Sequence, residues 1–487
     1  VCGRAESDER RDPTGQGQGN ATPPLADAIH GVVRLLVGDE RDIRAAPSPW
    51  LYGRDPTNLR ARLDTLWTLA RRYRCHPKTS QEHHDMAVTQ MTDRTDEQKA
   101  ICEMVRQFAD EQIIPNAEHY DAADEYPEPI VEHMKELGLF GITIPEEYGG
   151  LGLDLTTYCM VVEELSRGWI SISGVINTHF IGSYLLMKFG SDEQKEKYLP
   201  RMATGEIRAA FSLSEPELGS DVQAIKTTAK KTDAGDYEIN GQKMWVTNGL
   251  MSALVFVLVK TDPDADPRHK GFTCFITEKE PGASENTGEY AGLTVPPKIK
   301  KMGYKGVEST ELVYDGYRCP AENILGGEEA GLNKGFPQMM DALEVGRANV
   351  AARGVGIAQR ALELALKYSQ ERKTFGKPIA EHQAIQFKLA DMATQIDAAR
   401  LLTLRAARLK DQGERSDLEA GMAKLFASEA GRFCVEESFR IHGGYGYSKE
   451  YEIERLYRDA PLLLIGEGTS EIQRMVIGKK LLQRHKI

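Results

Sequence analysis

Apolar positions change their period along this chain, and the changes divide it. Ile101, Val105 and Phe108 fall on one helix face, just after Thr95-Asp-Glu-Gln98, whose hydroxyl-then-glutamine spacing predicts a capping box. Helical spacing runs on to about residue 205, broken at "IPEEYGGLG". The pattern then shortens. Tyr237-Glu-Ile239 meets Asn240-Gly241, a hairpin dipeptide, and "KMWVTN", "LVFVLV" and "FTCFIT" are β-branched and aromatic runs between turn residues. After "GGEEAGLNKGF" the helical period returns. Val350, Gly354, Ile357, Ala361, Leu364 and Tyr368 form one stripe, Val355, Ala358, Leu362 and Ala365 a second, and Ile385, Leu389, Met392, Ile396 and Ala399 another. A helix apolar on two sides packs on two sides, either inside a wide single-chain core or in a bundle that also meets a second subunit. The reading is a mainly α fold with a middle β domain: a helical domain at 92–205, a β domain at 206–325 and a helical bundle at 326–487.

Residues 1–91 differ in character. "DPTGQGQGNATPP" is breaker-rich and of low complexity, and "LRARLDTLWTLARRY" carries Leu59, Leu63, Leu66 and Ala70 at helical spacing. Met86 and Met91 stand just before the first strong domain signal, so 1–91 is expected to be a poorly ordered extension or an overextended gene start.

Composition narrows the class. With 41% hydrophobic and 28% charged residues the chain is ordinary for a globular protein, and its formal charge of −12 argues against nucleic acid or an anionic membrane as the main partner. The seven cysteines are scattered without a CxxC pair, and His83-His84 lack metal-ligand spacing, so no metal is expected. The first residues lack a charged-then-apolar leader pattern, and the expected location is cytoplasmic.

Several motifs suggest chemistry, each with a plainer reading beside it. "APLLLIGEGTSEIQRM" runs four apolar residues into Glu467, held between Gly466 and Gly468. An acid on an exposed turn is the plain reading; a buried base is the other. Ser470-Glu-Ile-Gln473 predicts a second capping box, placing the acid ahead of a helix N-terminus, where burial would raise its pKa and the helix end would oppose that. "EPELGSD" is a loop after the strand-like "AAFSLS". "KMWVTNG" sets Trp245 and Thr247 two apart on one strand face: core and edge, or a ring and a donor for a flat cofactor. "ERKTFGKPIAEHQ" gathers Arg372, Lys373 and Lys377 at a turn, either solvated charge or an anion site. In "RIHGGYGY" the pair Gly443-Gly444 is a helix cap or a point of close ligand approach. There is no Rossmann fingerprint, Walker A or GxSxG elbow, so any nucleotide cofactor binds without a βαβ unit.

Together and in order, "IPEEYGGLG", "SLSEPELGSD", "KMWVTNG", "ERKTFGKPIAEHQ", "RIHGGYGY" and "RDAPLLLIGEGTSEIQR" resemble the acyl-CoA dehydrogenase family, over roughly four fifths of the chain. The resemblance implies a helical domain, a β-barrel-like domain and a C-terminal four-helix bundle, in a homotetramer (a dimer of dimers) that binds FAD and oxidises an acyl-CoA to its 2,3-enoyl form. It makes Glu467 the base for the α-proton, with the β-hydrogen leaving as hydride to the flavin and the base's own backbone N–H among the donors to the thioester oxygen. It puts the flavin ring at Phe211, Leu213 and Ser214 with Trp245 and Thr247, and Ser220 at both flavin and CoA. Ser214 stands where threonine is common. Arg372, Thr374, Phe375, His382 and Gln383 would reach the FAD of a neighbouring subunit, and Gly443, Gly444, Thr469, Ser470 and Glu471 its adenosine–pyrophosphate part. Arg440 replaces the usual glutamine there. Glu344, Arg347 and Gly468 would contact the substrate.

Some relatives within this family carry the base on the helix around "LEVGR", where this chain has Gly346, so Glu467 keeps the assignment. Gly466 stands where straight-chain members often have tyrosine, which implies a short or branched acyl group; "SDLEAGMAKL" also resembles methylsuccinyl-CoA dehydrogenases, leaving a dicarboxylic thioester open. Electrons are expected to pass to an electron-transfer flavoprotein. The alternatives are an oxidase using oxygen and a non-catalytic scaffold on the same fold.

Overall fold

The computed structural model describes residues 94–486. The expectations for 1–91, including the arginine-rich helix, His83-His84, Cys2 and Cys75, lie outside the described residues. The first helices are α1 (Asp96–Phe108), α2 (Ile114–Ala123), α3 (Glu128–Glu136), α4 (Leu155–Gly168), α5 (Ile170–Phe189) and α6 (Asp192–Ala203). The capping box at α1 forms as read: Thr95 accepts from the Gln98 N–H, and the Gln98 side chain returns to the Thr95 N–H. By length and composition α5 resembles a membrane span, but 89% of that stretch is buried inside the protein, as in a core helix.

Seven strands follow: β1 (Ala209–Ser212), β2 (Thr228–Lys231), β3 (Tyr237–Thr247), β4 (Leu254–Lys260), β5 (Phe272–Glu278), β6 (Leu293–Thr294) and β7 (Ser309–Cys319). Their path is β1-β4-β2-β3-β7-β6, with β5 on the free side of β4. "LVFVLV" is apolar throughout because both of its faces are covered. Val255, Val257 and Val259 enter the curled sheet's own core with Phe275 and Leu312, while Leu254, Phe256 and Leu258 join the helical core. Asn240-Gly241 is not a hairpin. The chain continues through it as one strand with a bulge against β7. A Cβ on Gly241 would stand 2.6 Å from Thr227 Oγ1, and Asn240 Oδ1 accepts from the Gly316 N–H, so the dipeptide serves a close crossing instead of a turn.

Helices then close the fold: α7 (Gly327–Gly331), α8 (Gly335–Glu371), a small hairpin of β8 (Lys373–Thr374) and β9 (Lys377–Pro378), α9 (Gln383–Asp411), α10 (Asp417–His442), α11 (Ile453–Asp459), α12 (Pro461–Ile465) and α13 (Ser470–Arg484). The bundle is α8, α9, α10 and α13. The two apolar sides of α8 are both satisfied within the chain, by α4 and α5 on one side and α9 and α10 on the other. The seat of the candidate site is the α5–α8 contact, with the α12–α13 turn laid over it.

Candidate active site

Glu467 sits in the four-residue break between α12 and α13, at φ +55, followed by Gly468 at φ +92. A left-handed glutamate is uncommon, and such conformations gather where the surrounding fold fixes a functional side chain. The turn is pinned from below: Lys424 Nζ donates to the Gly468 carbonyl at 2.8 Å, and Gln473 Nε2 to the carbonyls of Glu467 and Gly468 at 3.3 and 3.2 Å. The cap of α13 is one residue earlier than the sequence suggested. Thr469, extended at φ −57 and ψ 162, accepts from the Ile472 N–H, whereas Ser470 begins the helix and its buried hydroxyl has no partner among the described residues.

The side chain points inward. Asn177 Nδ2 donates to Oε1 at 2.7 Å, while Oε2 is enclosed and has no hydrogen-bond partner among the described residues, although the residue as a whole is only half-buried. Burial pushes the carboxyl above the ordinary glutamate value, opposed by the Asn177 hydrogen bond and by the cations Arg353, Lys424 and Arg347. Desolvation outweighs these opposing contacts. Opposite Oε2 lies Gly346 of α8, where a Cβ would stand 2.3 Å from that oxygen.

Asn177 was not foreseen. Its signal was present, as an amide in the otherwise apolar "GVINTHF" of α5. The next residue ties this helix to the sheet: Thr178 Oγ1 donates to the Ala209 carbonyl of β1 and accepts from Asn248 Nδ2, just past β3. One helix therefore holds the Glu467 carboxylate and the ends of two strands that carry the flavin-ring expectations.

On those strands, Trp245 and Thr247 both lie off the buried side, but by a bulge and not by simple alternation. The β3–β7 register shifts between Lys243 and Val246, Trp245 adopts φ +63, and the residue is 56% exposed. Phe211, Leu213 and Ser214 are half-buried beside them, and Ser214's carbonyl accepts from the Met244 N–H. Beneath lies an ion pair that the motif reading missed. Lys243, fully buried, reaches Glu215 Oε1 at 3.1 Å and the Leu213 carbonyl at 3.0 Å, while Glu215 accepts from the Lys226 and Thr227 N–H groups. The acid of "EPELGSD" thus fastens its loop to β3, while Ser220 at the loop's far end is exposed.

A second group gathers around a cavity of about 840 Å³ at the α8–α9 turn, whose walls include Arg372, Thr374, His382, Gly443 and Gly444. Thr374 Oγ1 and His382 Nε2 lie 3.3 Å apart. Phe375 is 96% exposed at the hairpin tip, and Gln383 starts α9, also exposed. Thr469, Ser470 and Glu471 do not line this cavity; they belong to the Glu467 turn. Near that turn Glu344 is paired with Lys410 at 3.1 Å, while the Nε of Arg347, one turn on, has no hydrogen-bond partner among the described residues.

Comparison with known proteins agrees over the same span. Three family descriptions match in order: "Acyl-CoA dehydrogenase, N-terminal domain" at 95–206, "middle domain" at 210–317 and "C-terminal domain" at 333–482. An acyl-CoA dehydrogenase of Bacillus subtilis is 43% identical over 389 residues, 80% of this chain and 98% of the relative. A (2S)-methylsuccinyl-CoA dehydrogenase of Cereibacter sphaeroides is 39% identical over 402 residues, 82% of this chain and 72% of the relative. The solved butyryl-CoA dehydrogenase of Megasphaera elsdenii superposes with a TM-score of 0.74 at 36% identity, covering 80% of this chain and 99% of its own.

Proposed function

The chain belongs to the acyl-CoA dehydrogenase family, and from that premise we propose that Glu467 is the base that takes the α-proton of a bound acyl-CoA. The protein is an FAD-dependent oxidoreductase acting on a CH–CH bond. One observation carries the assignment of the base: an enclosed carboxylate with Oε1 tied to Asn177 and Oε2 left without a partner, facing the gap at Gly346. The proton moves from Cα to Oε2. Burial makes this oxygen a stronger base than a solvated glutamate, and Asn177 fixes the direction in which it points. A bound flavin would supply the acceptor for the Cβ hydrogen and its electron pair, so that loss of the two hydrogens leaves the 2,3-double bond.

The residues fit that cofactor. Arg372 brings a cation, Thr374 and His382 bring polar edges, and Gly443 and Gly444 present bare backbone around one cavity, a donor set suited to a diphosphate. Trp245, exposed beside half-buried Ser214 and Thr247, offers a ring face and hydroxyl donors to a flat heteroaromatic system. We assign the flavin ring to the strand group, Arg372, Thr374, Phe375, His382 and Gln383 to the FAD of a neighbouring subunit, and Gly443, Gly444 and the Thr469–Glu471 segment to its adenosine–pyrophosphate part. Arg347, Ser220 and Gly468 are assigned to the CoA arm. Glu344 is assigned there too, although it must share itself with Lys410.

The rest of the proposal is a short or branched acyl group, on the strength of Gly466, electron transfer to an electron-transfer flavoprotein, a cytoplasmic location and a homotetramer. Exposed Phe387 and Leu401 on α9 and Met475 and Leu482 on α13 supply apolar surface for subunit contacts. The test is a set of straight, branched and dicarboxylic acyl-CoAs added anaerobically to the yellow protein. Bleaching by at least one, with slow reoxidation in air, is expected. Fast aerobic turnover with peroxide would indicate an oxidase, and no bleaching by any of them would indicate a scaffold.

A further inference from the structure

Resting on that reading of Glu467, we infer that the acyl pocket takes a short dicarboxylic acyl group, whose far carboxylate is received by Arg353. Helices α5 and α8 pack together, and the acyl pocket of that reading lies along their contact, to which each brings a stripe. On α8 the stripe is Gly346, then Asn349 and Val350, then Arg353, so Arg353 lies on the face of Gly346, two turns or roughly 10 Å further along. On α5 it is Ile181, Asn177 and Gly174, met in the opposite chain direction.

Contacts across the space fix this order. A Cβ on Gly346 would stand 2.3 Å from Glu467 Oε2 and 3.2 Å from Ile181 Cδ1. A Cβ on Gly174 would stand 2.0 Å from the hydroxyl of Tyr304, and the Arg353 guanidinium carbon lies 4.9 Å from the centroid of that same ring. Asn177, between the two ends, bonds Glu467. One end of the space therefore holds the base and the other a cation.

That cation is 4% exposed, and its Nε and Nη2 have no hydrogen-bond partner among the described residues. Nor does any carboxylate among the described residues form an ion pair with it within 4.0 Å; Glu467 feels its charge only at longer range. A buried guanidinium with two idle donors is a costly arrangement unless something arrives to use them. A hydrocarbon tail would not. A carboxylate accepts from a guanidinium at two points, and the charges of Arg353 and Lys424 attract a carboxylate here against the penalty of its burial. The fixed separation of the two ends also limits length. With the two ends roughly 10 Å apart along α8 and a long arginine side chain taking up part of that distance, the expected occupant is a diacid of about four or five carbons.

The test compares, in the FAD-loaded enzyme, binding of unreactive carboxyalkyl-CoA thioethers with that of alkyl-CoA thioethers of equal length, alongside anaerobic bleaching by succinyl-, glutaryl-, butyryl- and pentanoyl-CoA. A preference for the carboxyl analogues of at least about 10-fold is expected in the wild type, falling to near one in Arg353→Gln. Arg353→Lys, which keeps the charge but loses the fork, is expected to retain part of the preference, and it answers the question if the glutamine variant does not fold. No preference in the wild type would overturn the inference. So would an unchanged preference in both variants, the outcome for a cation that serves only to balance Glu467. Bleaching by butyryl-CoA without any carboxylate preference removes the dicarboxylate alone, whereas failure of every thioester to bleach the flavin removes the dehydrogenase reading as well.

Discussion

Gly346 and Glu467 face each other so closely that a Cβ on the glycine would stand 2.3 Å from Oε2 of the acid. The helix makes room for the carboxylate by carrying no side chain where they meet. Gly346→Ala should therefore push the carboxylate aside. A displacement of about 1 Å at a reacting group costs on the order of 100-fold in rate. Folding should suffer little, because the obstructing atom is the end of a flexible side chain. Single-turnover flavin reduction and thermal melting, measured together, check both parts. A large loss of melting temperature with normal reduction would contradict this.

Ionisation of Glu467 should appear in the pH profile. Its folded pKa is raised by burial, and the ionised form is the active base, so the reductive rate should rise with pH through a limb lying above the ordinary glutamate value. Asn177 lowers that pKa by donating to Oε1. Asn177→Asp removes the donor and adds a like charge, so the limb should move to higher pH. A limb that stays in place or moves to lower pH would count against the contact.

How much of this was legible beforehand depends on the range over which each signal acts. The helix–β–helix order and the Thr95–Gln98 capping box rest on local spacing, and both formed as read. Asn240-Gly241 carried a turn signal, but Thr227 crossing behind Gly241 put the glycine to another use. The α13 cap shifted by one residue because Thr469 and Ser470 both carry hydroxyls, and backbone geometry chooses between them. Glu215 and Lys243 lie 28 residues apart in sequence, and Asn177 and Glu467 lie 290 apart. No periodicity links such partners, and only the fold brings them together.

The Glu215–Lys243 pair should matter for stability. Burial lowers the Lys243 pKa to about 8 against the pull of Glu215, so removing the acid leaves a buried ammonium facing carbonyls alone. Glu215→Gln should cost about 3–5 kcal/mol in denaturant unfolding, by analogy with other buried pairs broken on one side. A change below about 1 kcal/mol, the range of exposed pairs, would show that the pair is not needed.

Cofactor retention tests the α8–α9 cavity. Arg372 is an exposed cation on its wall, with the ring of Tyr445 5.9 Å away. Arg372→Ala removes a charge-assisted donor, so FAD should be lost more readily on dilution, read as the flavin-to-protein absorbance ratio after gel filtration. Retention equal to the wild type would move the diphosphate elsewhere.

The base assignment itself is tested most directly by Glu467→Gln. The amide keeps the shape of the side chain and an oxygen for Asn177, but it cannot accept the α-proton. With a bleaching acyl-CoA under anaerobic single-turnover conditions, the variant should bind FAD and thioester as before and reduce its flavin more than ~100-fold more slowly. Flavin reduction at near the wild-type rate would contradict the assignment and turn attention to Glu344, the nearest acid along α8 in sequence.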